Sequence, residues 1–384
     1  MAWLTFGSYF LIGTLATLFP SVMPGIIRGF GLSLVTAGLI FPANAVGSVL
    51  GGLGAGAGSD RLGRKPFLCA GALVSGAALL ALWHTQSWPL FVGAFLLLGL
   101  GQGALSNSVN ALVLDLNATR RGAAMNGLHG TFSLGAMVSP FLIRLALGPG
   151  MEWRPVVLGA ALVWLAFGLA TLCVRCPVRA PAPMASRRLQ WDLLRNQQFA
   201  MIFAVGFIYN GVSWSLLGWI KESLHRSGAR PEFGSALISI FYVGLATGRF
   251  ACARWAEQWT YGRTLVICAV GASLTYPLAV FGGSPAWVAV GVLLAGLFQS
   301  GLYPTGLAYA TRLYPGLAGT VTGTLSVGMT AGASIPPWWT GAIGSAVGLP
   351  AALQINALLL APLTLLCLRL AAQERKGQSN SPRT

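Results

Sequence analysis

Polar side chains that both donate and accept hydrogen bonds recur at helical spacing inside long apolar stretches of this sequence. In one stretch Gln102, Ser106 and Asn110 follow one another at intervals of four residues, which places them on one face of an α-helix. A polar group inside an apolar helix costs free energy unless it faces a partner or water. Amides and hydroxyls arranged in this way could bind a small polar molecule.

Further polar and aromatic residues of this kind occur in three other apolar stretches. The complete predicted substrate-binding set is Gln102, Ser106, Asn110, Asn126, His129, Tyr209, Asn210, Ser213, Trp214, Gln299 and Tyr303. Amides donate and accept at once, and an aromatic ring can stack on the apolar face of a pyranose, so the set favours a sugar or another uncharged polyol over an anion. Any single member could instead hold helices together, but convergence from four helices favours a solute pathway.

The elements that must position these residues are membrane-spanning helices. The chain has 384 residues, of which 55% are hydrophobic and 8% charged, whereas a soluble domain has about 25% charged residues. Twelve apolar stretches are long enough to cross a hydrocarbon core of about 30 Å. They span residues 3–27, 33–57, 67–84, 88–114, 122–147, 154–174, 198–220, 234–256, 264–282, 287–311, 317–343 and 350–371. The eleventh contains Pro336 and Pro337, which break its pattern.

The basic residues predict the orientation. Most of the 24 lysines and arginines lie in the loops after even-numbered stretches or in the C-terminal tail, and short loops rich in these residues stay in the cytoplasm. We therefore expect a multi-pass protein of the cell inner membrane with both termini cytoplasmic. The net charge of +16 is then a consequence of topology. The expected partners are the lipid bilayer and a small-molecule substrate, with no nucleic acid, and the chain is expected to be a monomer.

The two halves of the chain repeat each other. Gly99 recurs as Gly296, 197 positions later, and at the same offset Gln102 matches Gln299. A polar stretch rich in Pro, Ala and Arg separates the halves, which is typical of a linker. We predict a first six-helix bundle (1–175), a cytoplasmic linker (176–197), a second six-helix bundle (198–371) and a cytoplasmic tail (372–384). Parallel repeated halves with a substrate site between them are a known transporter architecture.

The segment "GAGSDRLGRK" between the second and third stretches resembles the G-x-x-x-D-[RK]-x-G-[RK]-[RK] signature of the major facilitator superfamily. A degraded copy, "ARWAEQWTYGR", occupies the matching place in the second half. The resemblance implies an all-α integral membrane fold of twelve transmembrane helices in two pseudo-symmetric bundles, which rock to alternate access. It also implies a gating role for Asp60. The predicted gating or structural set is Asp60, Arg61, Gly63 and Arg64 of this signature, together with Arg249 and Glu257 in the second half. The alternative is that these charges only set the topology.

Arg249 lies inside the eighth stretch, where an unpaired arginine costs about 2.5–3.5 kcal/mol at a helix centre. We expect it to snorkel to the cytoplasmic rim or to pair with Glu257. If Arg249 instead faces the cavity, an anionic substrate becomes the better prediction.

"GLGQGALSNSVNALVLDL" and "MNGLHGTFSLGAMVSP" resemble the fourth and fifth helices of the fucose–glucose–galactose symporter branch, which implies a sugar substrate. The proton symporters of that branch carry carboxylates inside the first and fourth helices, and often the seventh, where this sequence has Pro20, Ser106 and Ser213. Each of the eight acidic residues falls at a predicted helix end, in a loop or in the tail. Proton coupling is therefore left open, and His129 is the alternative titrating group.

These observations predict a secondary active or facilitative transporter of a small polar solute, with a sugar as the leading substrate class. The alternative is an efflux transporter of amphipathic drugs or metabolites, although "LGAMVSPFL" lacks the G-P-x-x-G-G-like run of the superfamily's drug antiporters. The loops show no Walker-type phosphate loop, metal cluster or catalytic triad. We therefore expect no enzyme activity, no catalytic residue, no metal and no cofactor.

Overall fold

The computed structural model describes residues 2–116, 121–147, 152–174, 193–255, 259–314 and 318–379. Helices account for nearly all of these residues. Their bounds are α1 (Ala2–Phe30), α2 (Leu34–Gly38), α3 (Ile40–Leu62), α4 (Arg64–His84), α5 (Trp88–Leu116), α6 (Arg121–Leu147), α7 (Arg154–Leu172), α8 (Gln197–Arg226), α9 (Pro231–Trp255), α10 (Tyr261–Phe281), α11 (Pro285–Gln299), α12 (Leu302–Leu313), α13 (Ala318–Val347), α14 (Leu349–Ile355), a 3₁₀ turn (Asn356–Leu359) and α15 (Leu360–Ser379).

Each of the twelve predicted stretches coincides with one of these helices or with a consecutive pair. The paired ones are α2 with α3, α11 with α12, and α14 with α15. Within the described ranges, nine helical segments are long and apolar enough to cross a membrane. The predicted all-α membrane fold is confirmed.

The chain divides into two compact units by its contacts. Unit 1 comprises residues 1–184 and 220–239, and unit 2 comprises residues 185–219 and 240–384. The segment 220–239 therefore groups with unit 1, although the predicted bundles follow chain order. Inside unit 1, Ser239 Oγ donates to the carbonyl of Met137 at 2.9 Å. The predicted bundle and linker boundaries remain a proposal.

Glycines let α3 and α5 approach each other closely in unit 1. A methyl carbon added at Gly47 would lie within 3.0 Å of the carbonyl oxygen of Leu96, and one added at Gly51 would lie equally close to that of Leu100. Small residues at such crossings allow backbone-to-backbone packing where no hydrophobic effect drives helices together. Helix α5, which carries the predicted polar face, is therefore packed backbone to backbone against α3.

The same glycine contacts recur in unit 2. Gly244 of α9 lies against the carbonyl of Leu293 on α11, and Gly248 lies against that of Leu297. All four residues stand 197 positions after their counterparts in unit 1. The repeat seen in the sequence is thus also a repeat of helix contacts within each unit.

Helix α13 continues through Pro336 and Pro337, although a proline removes a backbone donor and frees a carbonyl in a helix interior. Neighbouring side chains donate to carbonyls at this point. Trp219 Nε1 donates to the oxygen of Pro337 at 2.7 Å, and Thr340 Oγ1 donates to that of Pro336 at 2.7 Å. These bonds tie the proline turn of α13 to α8 and to the next turn of α13 itself.

Helix α15 runs past the predicted end of the last bundle at residue 371 because Glu374 is anchored there. Its side chain is buried, and its Oε2 accepts from the backbone N–H of Gly262 in the first turn of α10 at 2.6 Å. Arg312 Nη2 of α12 lies 3.2 Å from Oε1 of the same carboxylate. An anionic acceptor at a helix N-terminus is favourable, so Glu374 joins the ends of three helices.

Replacing Glu374 by alanine should lower the stability of the purified protein by about 1.5–3 kcal/mol, the range for a hydrogen bond to a charged group. Glu374→Gln should cost less, because its amide oxygen still accepts from Gly262. Thermal unfolding in detergent measures both variants, with the exposed neighbour Arg375→Ala as control. Equal melting temperatures for Glu374→Ala and Arg375→Ala would contradict the anchoring role.

Candidate functional site

Tyr9 of α1 organises the polar face of α5 in unit 1. Its hydroxyl donates to Oδ1 of Asn110 at 2.5 Å and lies 3.0 Å from Oγ of Ser106. The side chain of Tyr9 is buried. Ser106 and Asn110 therefore do share one helix face, as their spacing predicts, and one hydroxyl from α1 contacts both.

His129 of α6 completes this group. Its ring meets the ring of Tyr9 edge-on, with centroids 5.3 Å apart and planes at 84°, the favoured geometry for aromatic pairs. Ser133, one turn along α6, donates to the carbonyl of His129 at 3.2 Å. We call Tyr9, Ser106, Asn110 and His129 the Tyr9 cluster. The side chain of Asn126, predicted to join it, lies outside the described residues.

Gln102, one turn before Ser106, has a different partner. Its Oε1 accepts from Nδ2 of Asn44 on α3 at 3.4 Å, and the same nitrogen lies 3.5 Å from the carbonyl of Phe95. Both amides are half-buried. The predicted α5 face thus divides into an amide pair with α3 and the Tyr9 cluster with α1 and α6.

In unit 2, Ser213 of α8 meets Gln299 at the end of α11. The Ser213 hydroxyl contacts Gln299 Oε1 and lies 2.9 Å from the carbonyl of Tyr209. Gln299 is 1% exposed, and within the described part of the chain its Nε2 has no hydrogen-bond partner. One turn away, Asn210 Nδ2 donates to the carbonyl of Met329 on α13 at 2.9 Å.

Arg249 of α9 lies beside this group. Its guanidinium hydrogen-bonds the hydroxyl of Tyr209 and also interacts electrostatically with Tyr242 and Tyr303. The Tyr303 hydroxyl hydrogen-bonds Ser326 of α13. Arg249 is half-buried. The structure thus adds a tyrosine partner to the two predicted possibilities, whereas Glu257, the predicted ion-pair partner, lies outside the described residues.

The remaining predicted residues are placed only in part. Gly63 separates α3 from α4 at φ +82°, a left-handed conformation that favours glycine. Arg64 begins α4 and is half-buried, as is Trp214 on α8. The side chains of Asp60 and Arg61 lie outside the described residues. Their gating role stays a prediction.

Sequence reasoning missed Tyr9. The first apolar stretch contains serines and threonines but no amide, histidine or charged side chain, and a tyrosine there is also typical of an apolar core. The signal that could have found it is the hydroxyl itself, since a buried phenol usually requires a hydrogen-bond partner. Asn44 of α3, which is not in the predicted set, is the partner of Gln102.

The chemistry available in both groups is hydrogen bonding by neutral side chains, with one cation in unit 2. Within the described residues, no group of three or more His, Cys, Asp or Glu side chains could hold a metal ion. Polar groups held inside a set of membrane-crossing helices are typical of a multi-pass membrane transporter.

The chain belongs to the major facilitator superfamily. The family model described as "Major Facilitator Superfamily" matches residues 5–221 and again residues 199–384, so the predicted superfamily is confirmed. The members are transporters and not enzymes.

Two sequence relatives cover most of the chain. Protein TsgA of Escherichia coli O157:H7 is 24% identical over 313 residues, which are 79% of this chain and 78% of that protein. A gallate transporter of Pseudomonas putida is 25% identical over 334 residues, which are 77% and 74% of the two chains.

Solved structures show the same fold. The nucleoside transporter NupG, in a mutant form, superposes with a TM-score of 0.81 at 14% identity and covers 96% of this chain and 98% of its own. A mutant of the E. coli fucose:proton symporter FucP gives a TM-score of 0.69 at 19% identity and covers 96% and 97%. At these identities the likeness shows the fold alone.

Proposed function

We propose that this transporter carries a small hydroxyl-rich solute, with a sugar as the leading class, across the cell inner membrane by alternating access between its two bundles. Both termini are then cytoplasmic. The observation that carries the proposal is the Tyr9 cluster, in which one buried hydroxyl joins Ser106 and Asn110 of α5 and packs on the ring of His129.

The chemistry of the cluster suits sugar hydroxyls. The Tyr9 hydroxyl donates to Asn110 Oδ1 and thereby orients the amide nitrogen as a donor, while Ser106 can donate or accept. Each sugar hydroxyl likewise donates and accepts, so a neutral cluster of this kind matches it without an unpaired charge. A carboxylate would require a cationic partner, and within the Tyr9 cluster His129 is the residue that can carry a positive charge.

Facilitated transport without proton coupling is the simpler form of the proposal. Glu222 lies one turn before the end of α8 and pairs with Arg226, with 2.6 Å between Oε1 and Nε, and Glu374 is held by Arg312. Both carboxylates are thus engaged near helix ends, whereas proton carriers are usually mid-membrane carboxylates. His129 in the Tyr9 cluster is the group that would titrate if coupling occurs.

Counterflow in liposomes tests this proposal. We expect purified protein to exchange at least one labelled hexose in a panel, at a rate that is unchanged by a pH gradient. Acidification driven by sugar uptake would show proton coupling instead. Absence of hexose exchange together with extrusion of amphipathic dyes from cells would favour the efflux alternative.

A second candidate solute is a hydroxylated carboxylic acid, because Arg249 lies with Tyr209 beside Ser213 and Gln299. A guanidinium binds a carboxylate through two parallel hydrogen bonds. One relative is named a gallate transporter, and gallate is a small acid with three hydroxyl groups. The same counterflow panel therefore includes sugar acids and hydroxybenzoates.

If the solute is an acid, Arg249→Gln should raise its KM several-fold and leave residual exchange of neutral hexoses unchanged. Arg249→Lys should show an intermediate effect, because a lysine retains the charge but not the planar pair of donors. Arg263→Gln, an exposed arginine at the start of α10, is the control. An equal KM for acids in Arg249→Gln and Arg263→Gln would exclude the second candidate.

A further inference from the structure

Two cysteine thiols from neighbouring helices meet inside unit 2, next to the end of α11 that carries Gln299. Cys252 Sγ of α9 lies 3.9 Å from Cys268 Sγ of α10. Cys268 is buried, and Cys252 is half-buried. Both are free thiols. Neither cysteine belongs to the proposed substrate-binding set or to the gating set.

The thiols meet at the short interruption between helices α11 and α12. Helix α11 ends at Gln299 and α12 begins at Leu302, so Ser300 and Gly301 form the break. A methyl carbon added at Gly301 would lie 2.6 Å from Cys252 Sγ and 2.7 Å from Cys268 Sγ. The Cys252 thiol also hydrogen-bonds Ser300. Glycine at position 301 thus provides the space that both sulfurs occupy.

The 3.9 Å between the two sulfur atoms is a suitable distance for a single metal or metalloid atom bonded to both. Metal–thiolate bonds of about 2.3 Å, as in zinc sites, let a single atom bridge sulfurs that lie up to about 4.6 Å apart. A direct disulfide needs about 2.05 Å, so it would require the two helices or side chains to move closer. Soft thiolate ligands select soft, thiophilic centres.

We propose that Cys252 and Cys268 form a dithiol site for a thiophilic centre that takes two thiolates and gives a neutral product, such as a mercuric ion or a monosubstituted trivalent arsenical. Neutrality matters because charge inside membrane helices is costly. With phenylarsine oxide, two As–S bonds form, the As–O bond breaks, and the oxide oxygen leaves as water with the two thiol protons. The arsenic stays trivalent, so no oxidant or reductant is needed.

The adduct would tie α9 to α10 against the α11–α12 break. Because Arg249 lies one turn before Cys252 on α9, a bridge at Cys252 would also restrain the helix that carries this arginine. The site thus offers a way to modify the transporter by a reagent that resembles none of its candidate solutes.

Intact mass spectrometry of the full chain with phenylarsine oxide tests the proposal without a known substrate. The starting variant carries Cys173→Ser and Cys176→Ser, because those two residues form a C-x-x-C that could capture the same reagent. We expect one phenylarsenic adduct per chain, removed by dimercaptopropanol and resistant to an equal concentration of a monothiol. Cys252→Ser and Cys268→Ser should each abolish the resistant adduct, and Cys367→Ser, a buried thiol on α15, should retain it.

Two further measurements keep the result independent of misfolding. Gly301→Ala should slow adduct formation at least several-fold, since its methyl group would displace both sulfurs. In the starting variant, the reagent should protect the peptides that contain Cys252 and Cys268 from maleimide after denaturation. A resistant adduct in either serine variant, or no adduct in the starting variant, would overturn the proposal.

Discussion

Gly47→Ala should sharply reduce the yield of folded protein and lower the melting temperature of what remains, while Gly54→Ala on the same helix should match the wild type. A methyl carbon at Gly47 would lie within 3.0 Å of Leu96 O and Leu100 N, whereas nothing lies within 4 Å of one at Gly54. Backbone atoms cannot rotate away, so α3 and α5 must separate. Overpacking typically costs 1–3 kcal/mol, and we expect about 3 kcal/mol here.

Fluorescence-detected size-exclusion and thermal unfolding in detergent measure this effect. Gly244→Ala provides an internal repeat of the experiment, because Gly244 lies 197 positions later and meets Leu293 O in the same way. The two substitutions should be similarly damaging. If Gly47→Ala is no less stable than Gly54→Ala, the close α3–α5 crossing is wrong.

Much of the helix arrangement could be predicted from composition and from the internal repeat. Apolar length locates each membrane helix, and the Gly99–Gly296 correspondence marks crossings that the structure then shows as close backbone contacts. The stretch 317–343 is predicted as a single span in spite of Pro336 and Pro337, and helix α13 does continue through both prolines. The sequence pattern does not predict the hydrogen bond from Trp219 of α8 to the carbonyl of Pro337, because that contact depends on how the two helices pack.

The candidate site could be predicted only where its residues share one helix. Spacing alone joins Ser106 to Asn110, but Tyr9 lies about a hundred positions away in the chain and becomes their partner only when α1 packs beside α5. Arg249 illustrates the same limit. Its helix suggests a partner nearby in sequence, whereas the structure gives a hydrogen bond to Tyr209 on α8. Contacts between helices depend on packing that a single sequence does not encode locally.

Tyr9→Phe and Asn110→Ala should each raise the KM for the transported solute about two- to tenfold, with little change in the amount of folded protein. The phenol hydroxyl fixes the Asn110 amide through the 2.5 Å bond to Oδ1. Without it the amide can turn, and a solute hydroxyl loses a positioned donor. A hydrogen bond of this kind contributes about 1 ± 0.5 kcal/mol, and 1.4 kcal/mol is a tenfold change in affinity. Phenylalanine keeps the ring contact with His129.

Two matched controls separate binding from stability in this test. Tyr276→Phe removes another buried phenol, whose hydroxyl donates to the carbonyl of Leu353 at 3.1 Å within unit 2, and should lower the melting temperature without raising KM. Asn107→Ala removes an exposed amide of α5 that donates to the carbonyl of Gly52 at 3.1 Å. Counterflow of the fastest-exchanging solute gives KM for all four variants. If Tyr9→Phe behaves like Tyr276→Phe, the Tyr9 cluster only supports the helices, and the solute must bind elsewhere.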